Sequence, residues 1–322
     1  MNRRGLNIVL TLIGALGAIG GLALAYLFVA FPKTGPTPDL RVESTPALVE
    51  RGAYLAGHVT ACLDCHSTRD WKRYSGPPRP GTIGGGGEAF THDMGFPGNV
   101  FSRNITPVAL ATWTDGEVAR AITTGVTRDG HAMFPIMPYP NYRHLCDADL
   151  NALVAFLRTL APVVRQNQES KLDFPMNLIV RLIPAPPDPW ECQAGTPDYG
   201  KYLTTVAGCA ECHTQQERGK HKPGMEFAGG WTFPLSGGGH ITSANITPDR
   251  ETGIGEWTRD EFITKFKAFA SPNAATPVSA GGMNTIMPWT MYAGMTPEDL
   301  GAIYDYLRTQ KPVQNVVERF HP

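Results

Sequence analysis

Cys62-Leu63-Asp64-Cys65-His66 and Cys209-Ala210-Glu211-Cys212-His213 decide how this 322-residue chain is read. Each stands at the head of a series of short motifs that occurs twice in the same order. Arg51-Gly52-Ala53-Tyr54-Leu55 precedes the first unit, and Tyr199-Gly200-Lys201-Tyr202-Leu203 precedes the second. Ser102-Arg103-Asn104-Ile105-Thr106-Pro107 returns as Ser243-Ala244-Asn245-Ile246-Thr247-Pro248, and Trp113-Thr114-Asp115 with Glu117 returns as Trp257-Thr258-Arg259 with Glu261. Met137-Pro138-Tyr139 returns as Met287-Pro288-Trp289, and Leu157-Arg158-Thr159 as Leu307-Arg308-Thr309. From Met137 to Val163 the offset between copies is constant, and at the cysteines it is three residues shorter, so insertions fall in loops. Self-similarity at this period predicts two homologous domains, 48–165 and 198–322. Between them, 166–197 contains Pro184-Ala185-Pro186-Pro187-Asp188-Pro189, which cannot continue a helix and predicts an extended linker.

The pattern around these motifs is helical. Segments 48–56 and 198–205 predict short helices leading into the cysteines. Segments 114–123 and 258–269 predict middle helices, each opened by a Thr cap with an acidic residue three positions later. Leu150, Leu153, Val154, Leu157 and Leu160 make one apolar helical face near the end of the first domain. Leu300, Ile303, Tyr304 and Leu307 make its counterpart in the second. No alternating run is long enough for a central strand, so the expected fold class is mainly α.

C-x-x-C-H is the attachment pattern of c-type haem. Two intervening residues put both thiols on about one helical turn, within reach of the two vinyl groups of one porphyrin. The next residue then offers an imidazole to the iron. The expected cofactors are two covalently attached haem c groups, one on Cys62, Cys65 and His66 and one on Cys209, Cys212 and His213. Three other chemistries use paired cysteines. A zinc site expects its two pairs about 15–20 residues apart, a thioredoxin-like pair expects a βαβ context, and a disulfide within each pair leaves the histidine unexplained. For the second axial ligand the choice falls on Met137 and Met287, each in a loop before the last helix. A thioether suits an iron that changes oxidation state without binding other molecules, and it raises the reduction potential. Met133 and Met283 also obey the repeat; the Pro following Met137 and Met287, which stiffens the loop, decides between them. Methionine as simple apolar filling is the bland alternative.

Residues 6–31 carry no formal charge and follow Arg3 and Arg4. Roughly 20 apolar residues cross a bilayer, and the basic residues leave the short N-terminus inside and the remainder outside. A membrane anchor over 1–31 and a proline-rich linker over 32–47 are expected. A cleaved signal peptide, with Ala23-Leu24-Ala25 as its cleavage pattern, delivers the body to the same side. The formal net charge of −1 gives no general attraction to nucleic acid, and none is expected as a partner. Cys146 and Cys192 are left over; outside the cytoplasm a disulfide between them and two free thiols are both compatible with the sequence. His58, His92, His131, His144, His221 and His240 share no spacing between repeats and are expected in loops or at the surface. Gly84–Gly87 and Gly237–Gly239 lack the Lys-Ser or Lys-Thr of a phosphate loop and read as close backbone approach or loop. Trp113 and Trp257 are expected as core or haem-packing residues.

The series Cys62-Leu63-Asp64-Cys65-His66, Asn104-Ile105-Thr106-Pro107, Trp113-Thr114-Asp115-Gly116-Glu117 and Met137-Pro138-Tyr139-Pro140-Asn141-Tyr142 resembles the multihaem cytochrome c subunits of membrane-bound alcohol and gluconate dehydrogenases. The resemblance is strong over 48–163 and looser over 198–313. It implies two tandem class I cytochrome c domains after the N-terminal transmembrane helix, on the periplasmic side of a bacterial cytoplasmic membrane. It also implies Asn104 and Asn245 near haem edges. This chain departs from those subunits in having two haem sites where they have three, and in its N-terminal anchor. The expected function is single-electron transfer, without catalytic residues. The donor would be a periplasmic or membrane dehydrogenase or a respiratory complex, and the acceptor an oxidase or small cytochrome. The rival class is a dihaem enzyme of the peroxidase or thiosulfate-oxidising type, which needs one open iron; a structural subunit is a third.

Overall fold

The computed structural model describes residues 3–217, 219–271 and 273–322. In its first helix, Arg3–Ala30, no residue is buried, and with a stretch of mean hydropathy 2.3 it is long and apolar enough to cross a membrane. The rest is mainly helical, with strands of two to four residues.

Each half is organised by the crossing of its first and last helices. In the first half these are Pro46–Tyr54 and Asp147–Leu157; in the second, Tyr199–Val206 and Pro297–Arg308. A glycine makes both crossings possible. A Cβ on Gly52 would lie 1.9 Å from the carbonyl oxygen of Ala152, and one on Gly200 would lie 2.1 Å from that of Ala302. Around them Leu55, Leu153 and Leu157, then Leu203, Ile303 and Leu307, form a continuous apolar core. Leu150 lies only at its margin, half-buried.

The middle helices Asp115–Thr124 and Arg259–Lys267 begin as their sequence dictates. Thr114 and Thr258 each accept from the backbone N–H of the acidic residue three positions on, whose carboxylate accepts from the Thr N–H in return. The second ends two residues before the expected Phe269. Pro46, two residues before the expected start, opens the first helix after the Thr45 cap, and at Leu55–Val59 the chain widens into a π-helical turn.

Two expectations need correcting. Residues 166–197 are not simply an extended tether: Lys171–Leu172 pairs with Gly98–Phe101, and Cys192 forms a disulfide with Cys146. Trp190 stacks on His144 with ring centroids 4.1 Å apart, so the proline-rich run is fastened to the first half. His58 is not a surface histidine either. It is half-buried where the halves meet, with Nδ1 2.9 Å from the Met291 carbonyl oxygen.

The halves meet through a crossed pair of hydrogen bonds. Tyr54 of the first half donates to Asp299 of the second (2.5 Å), and Tyr202 of the second donates to Asp149 of the first (2.7 Å). Tyr54 and Tyr202 occupy the same place in the repeat, as do Asp149 and Asp299, so the seam has an approximate internal two-fold. The local partners break that symmetry. Asp149 is held by the Arg51 guanidinium at 2.8 and 2.9 Å, whereas Asp299 accepts from the Tyr199 hydroxyl at 2.9 Å.

Candidate functional site

One left-handed residue sits before each cysteine pair, Ala61 at φ 49° and Gly208 at φ 69°. It breaks the incoming helix and lets a new single turn start at the first cysteine. Three residues apart on that turn, the two thiols of each pair share one side. The turn is pinned from behind. Tyr142 donates to the Thr60 carbonyl (2.8 Å) and Tyr292 to the Ala207 carbonyl (2.5 Å), each two residues before its first cysteine. These tyrosines stand five residues after Met137 and Met287, so each ties its methionine loop to its cysteines. Their repetition is visible in the sequence, but nothing there assigns them this task.

The four motif cysteines are unpaired, and among the described residues they do not converge on a common metal site with one another. Neither the zinc reading nor the intra-motif disulfide finds support in that arrangement. Burial pushes the thiols of Cys65, Cys209 and Cys212 up to about 12, and that of Cys62 up as well, so all four are neutral thiols at pH 7. The histidines are neutral too: burial lowers His213 to about 4 and moves His66 in the same direction. Nδ1 of His66 lies 2.7 Å from the Arg103 carbonyl oxygen, and Nδ1 of His213 lies 2.7 Å from that of Ala244. A carbonyl only accepts, so Nδ1 carries the proton and donates it. The lone pair of Nε2 is left free for a metal, the tautomer a ligating histidine requires.

In the second half a cavity of about 400 Å³ opens in front of these groups. Cys209, Cys212 and His213 line it, as do Met287 and Pro288, and its apolar walls include Ile246, Trp257, Phe262 and Trp289. Lys265 and Arg319 are its cationic lining residues, suited to the carboxylates that a haem carries. Met283 does not line it and is 47% exposed. In the first half Met137, Cys62 and Leu63 are partly buried against the core. Donor set, neutral imidazole, apolar walls and cationic groups fit a haem.

Asn104 and Asn245 each brace the segment that follows the last helix of their half. Each Nδ2 donates to a backbone carbonyl beyond the last helix, Val163 or Val313, at 2.7 Å. Each Oδ1 accepts from the backbone N–H and hydroxyl of the threonine two residues on. Asn245 also lines the cavity.

The Met287 loop has a support that the sequence did not reveal. Ser75, from the first half and fully buried, donates its hydroxyl to the Met287 carbonyl (2.6 Å) and accepts from the Trp289 N–H (3.0 Å). Asn284 accepts from the Ser75 N–H at 2.9 Å. Arg69 donates to the carbonyls of Ser75 and Gly76 and pairs at 3.1 Å with Asp64, the residue between Leu63 and Cys65. Both side chains of that pair are buried; desolvation pushes the Asp64 carboxyl up to about 6, against the opposing pull of Arg69. A continuous polar chain therefore links the first C-x-x-C-H to the second methionine loop.

The cytochrome c family model matches residues 198–311. The second half is a cytochrome c domain. Cytochromes c hold haem c covalently, which is the group this cavity fits. Similar curated proteins align over both halves. The cytochrome c subunit of the quinone-dependent alcohol dehydrogenase of Gluconacetobacter polyoxogenes is 29% identical over 90% of this chain and 61% of its own length. The gluconate 2-dehydrogenase cytochrome c subunit of Pantoea cypripedii is 28% identical over 83% of this chain and 60% of its own length. A diheme cytochrome c-type protein of Cereibacter sphaeroides is 29% identical over 77% of this chain and 81% of its own length. The chain thus spans about 60% of the length of the dehydrogenase cytochrome subunits it resembles.

Proposed function

We propose that this chain is a membrane-anchored dihaem cytochrome c that carries single electrons. It would stand between a periplasmic or membrane dehydrogenase, or a respiratory complex, and an oxidase or small cytochrome. In this reading 48–165 and 198–322 are two cytochrome c domains of class I, and the helix Arg3–Ala30 holds them at the periplasmic face of a bacterial cytoplasmic membrane. Cys62 and Cys65 would attach one haem, and His66 and Met137 would hold its iron. Cys209 and Cys212 would attach the other, with His213 and Met287 holding its iron.

The observation that carries this reading is the second-half cavity, where a proton-free imidazole nitrogen and a thioether share one apolar space with two neutral thiols. Haem c, when bound, supplies a one-electron ferric–ferrous couple whose potential a methionine sulfur raises. The polypeptide does the rest. The carbonyls of Arg103 and Ala244 orient the imidazoles, Tyr142 and Tyr292 fix the cysteine turns, and Trp257, Phe262 and Trp289 keep water from the site. No acid, base or nucleophile is needed.

The names of the related subunits support a dehydrogenase as the donor. Ligand replacement tests the reading. Met137→Ala and Met287→Ala are each expected to abolish the red-region sulfur-to-iron absorption of one haem and leave the other. Reduced wild-type protein is expected to bind carbon monoxide slowly. Retention of the full band in both variants, or rapid stoichiometric binding at one haem of the wild type, would contradict it.

A further inference from the structure

Residues 174–182 leave an apolar face uncovered. Phe174 is 78% exposed, Ile179 44% and Leu182 52%, a density of large exposed apolar groups that the structure otherwise keeps for its first helix. Met176–Ile179 is a helical turn that tightens into Val180–Leu182, so residues 176, 179 and 182, three apart, lie on one face. Val180, off that face, is buried.

Arg181 fixes where the face is. Its Nη2 donates to the carbonyls of Phe28 (3.2 Å) and Phe31 (2.5 Å), and its guanidinium lies 4.7 Å from the centre of the Phe28 ring. The last carbonyls of a helix lack partners within it, and a cation there also satisfies the helix dipole. Arg181 therefore caps the end of Arg3–Ala30 and holds 174–182 beside the point where that helix stops. Lys33 and Lys171 are exposed nearby in sequence, and the Asp173 carboxylate, next to Phe174, is engaged by His92 at 2.6 Å. Apolar groups on one side with basic groups at the margin are what the boundary between acyl chains and headgroups accepts.

We propose that residues 174–182 are a second membrane contact, burying Phe174, Ile179 and Leu182 in the surface of the bilayer that the N-terminal helix crosses. This rests on reading that helix as a membrane anchor. With two fixed points the haem-bearing halves are held in one orientation to the membrane instead of swinging on the chain after Phe31.

The full-length protein, in vesicles of phosphatidylcholine and phosphatidylglycerol, is photolysed with a carbene-generating probe that partitions into acyl chains, then digested and mapped by mass spectrometry. Label is expected on peptides from both 3–30 and 174–182. In a Phe174→Ser, Ile179→Ser, Leu182→Ser variant, label on 174–182 is expected to fall at least tenfold while the anchor stays labelled. Label on 3–30 with 174–182 no higher than the peptide around Val316, which is 85% exposed, would overturn the proposal and leave the face to a protein partner. An unlabelled 3–30 would overturn the anchor reading and this proposal with it.

Discussion

Around Met137 the first half relies on rings and its own backbone, whereas around Met287 the second half borrows hydrogen bonds from the first. Phe134 packs edge-on against Phe96, Tyr139 donates to the Met133 carbonyl, and Gly125, at φ 69°, leaves room for the Tyr139 ring. All of these groups belong to the first half. Asn284, at the position that matches Phe134, is polar instead: it accepts from the Ser75 N–H and donates to the Trp71 carbonyl, tying the Met287 loop to the first half, while the Thr285 hydroxyl accepts from the Met287 N–H within the loop. The dependence runs one way: the second methionine needs the first half folded beside it. A repeat can thus keep its site chemistry while its supports diverge.

The largest expected effect breaks the seam where it is least symmetric. Arg51→Met removes the cation from Asp149, which is 3% exposed, and is expected to cost about 3 kcal/mol, since an unpaired buried carboxylate remains. Tyr199→Phe, at the matching place, removes one hydrogen bond to Asp299 and should cost about 1 kcal/mol. Thermal or denaturant unfolding followed by circular dichroism compares the two; equal losses would mean that the asymmetry has no energetic weight.

The helix crossings should behave alike. Gly52→Ala and Gly200→Ala each force a methyl group into a backbone carbonyl, and each is expected to lose about 2–3 kcal/mol in the same unfolding measurement. A loss in only one half would break the equivalence of the two crossings.

Ser75→Ala sharpens the contrast between the methionine loops. It strips partners from the Met287 carbonyl and the Trp289 N–H, at an expected cost of about 2 kcal/mol. The sulfur-to-iron absorption assigned to Met287 should weaken while that assigned to Met137 is unchanged; a Met287→Ala background identifies which haem is affected. Equal weakening at both haems would refute the one-way dependence.

The smallest effect concerns the left-handed residues. Ala61 occupies a conformation that Gly208 adopts without strain, so Ala61→Gly is expected to stabilise by about 1 kcal/mol and Gly208→Ala to destabilise by a similar amount. Equilibrium unfolding reads both.

Much of this organisation was legible in the sequence because it is local. The capping boxes at Thr114 and Thr258, the apolar faces of the last helices and the C-x-x-C-H turns are written within a few residues of one another. The sequence could also nominate Cys146 and Cys192 as a pair, but joining them required a Cα separation, 6.0 Å, that only the fold supplies. What was illegible lies between distant segments. Ser75 and Met287 are brought together by the packing of one half on the other, and no periodicity marks a serine for that contact. His58 read as a surface residue for the same reason. The 166–197 segment read as a tether because its prolines exclude a helix locally, while Trp190 and Lys171 reveal their partners only in three dimensions.

The central claim is that each half binds its own haem through its own cysteine pair. Intact-mass measurement after acid–acetone denaturation, applied to wild type, Cys62→Ala/Cys65→Ala and Cys209→Ala/Cys212→Ala, tests it most directly. Two haem increments are expected on the wild type and one on each variant. A wild type that carries fewer than two, or a variant that keeps both, would contradict the account.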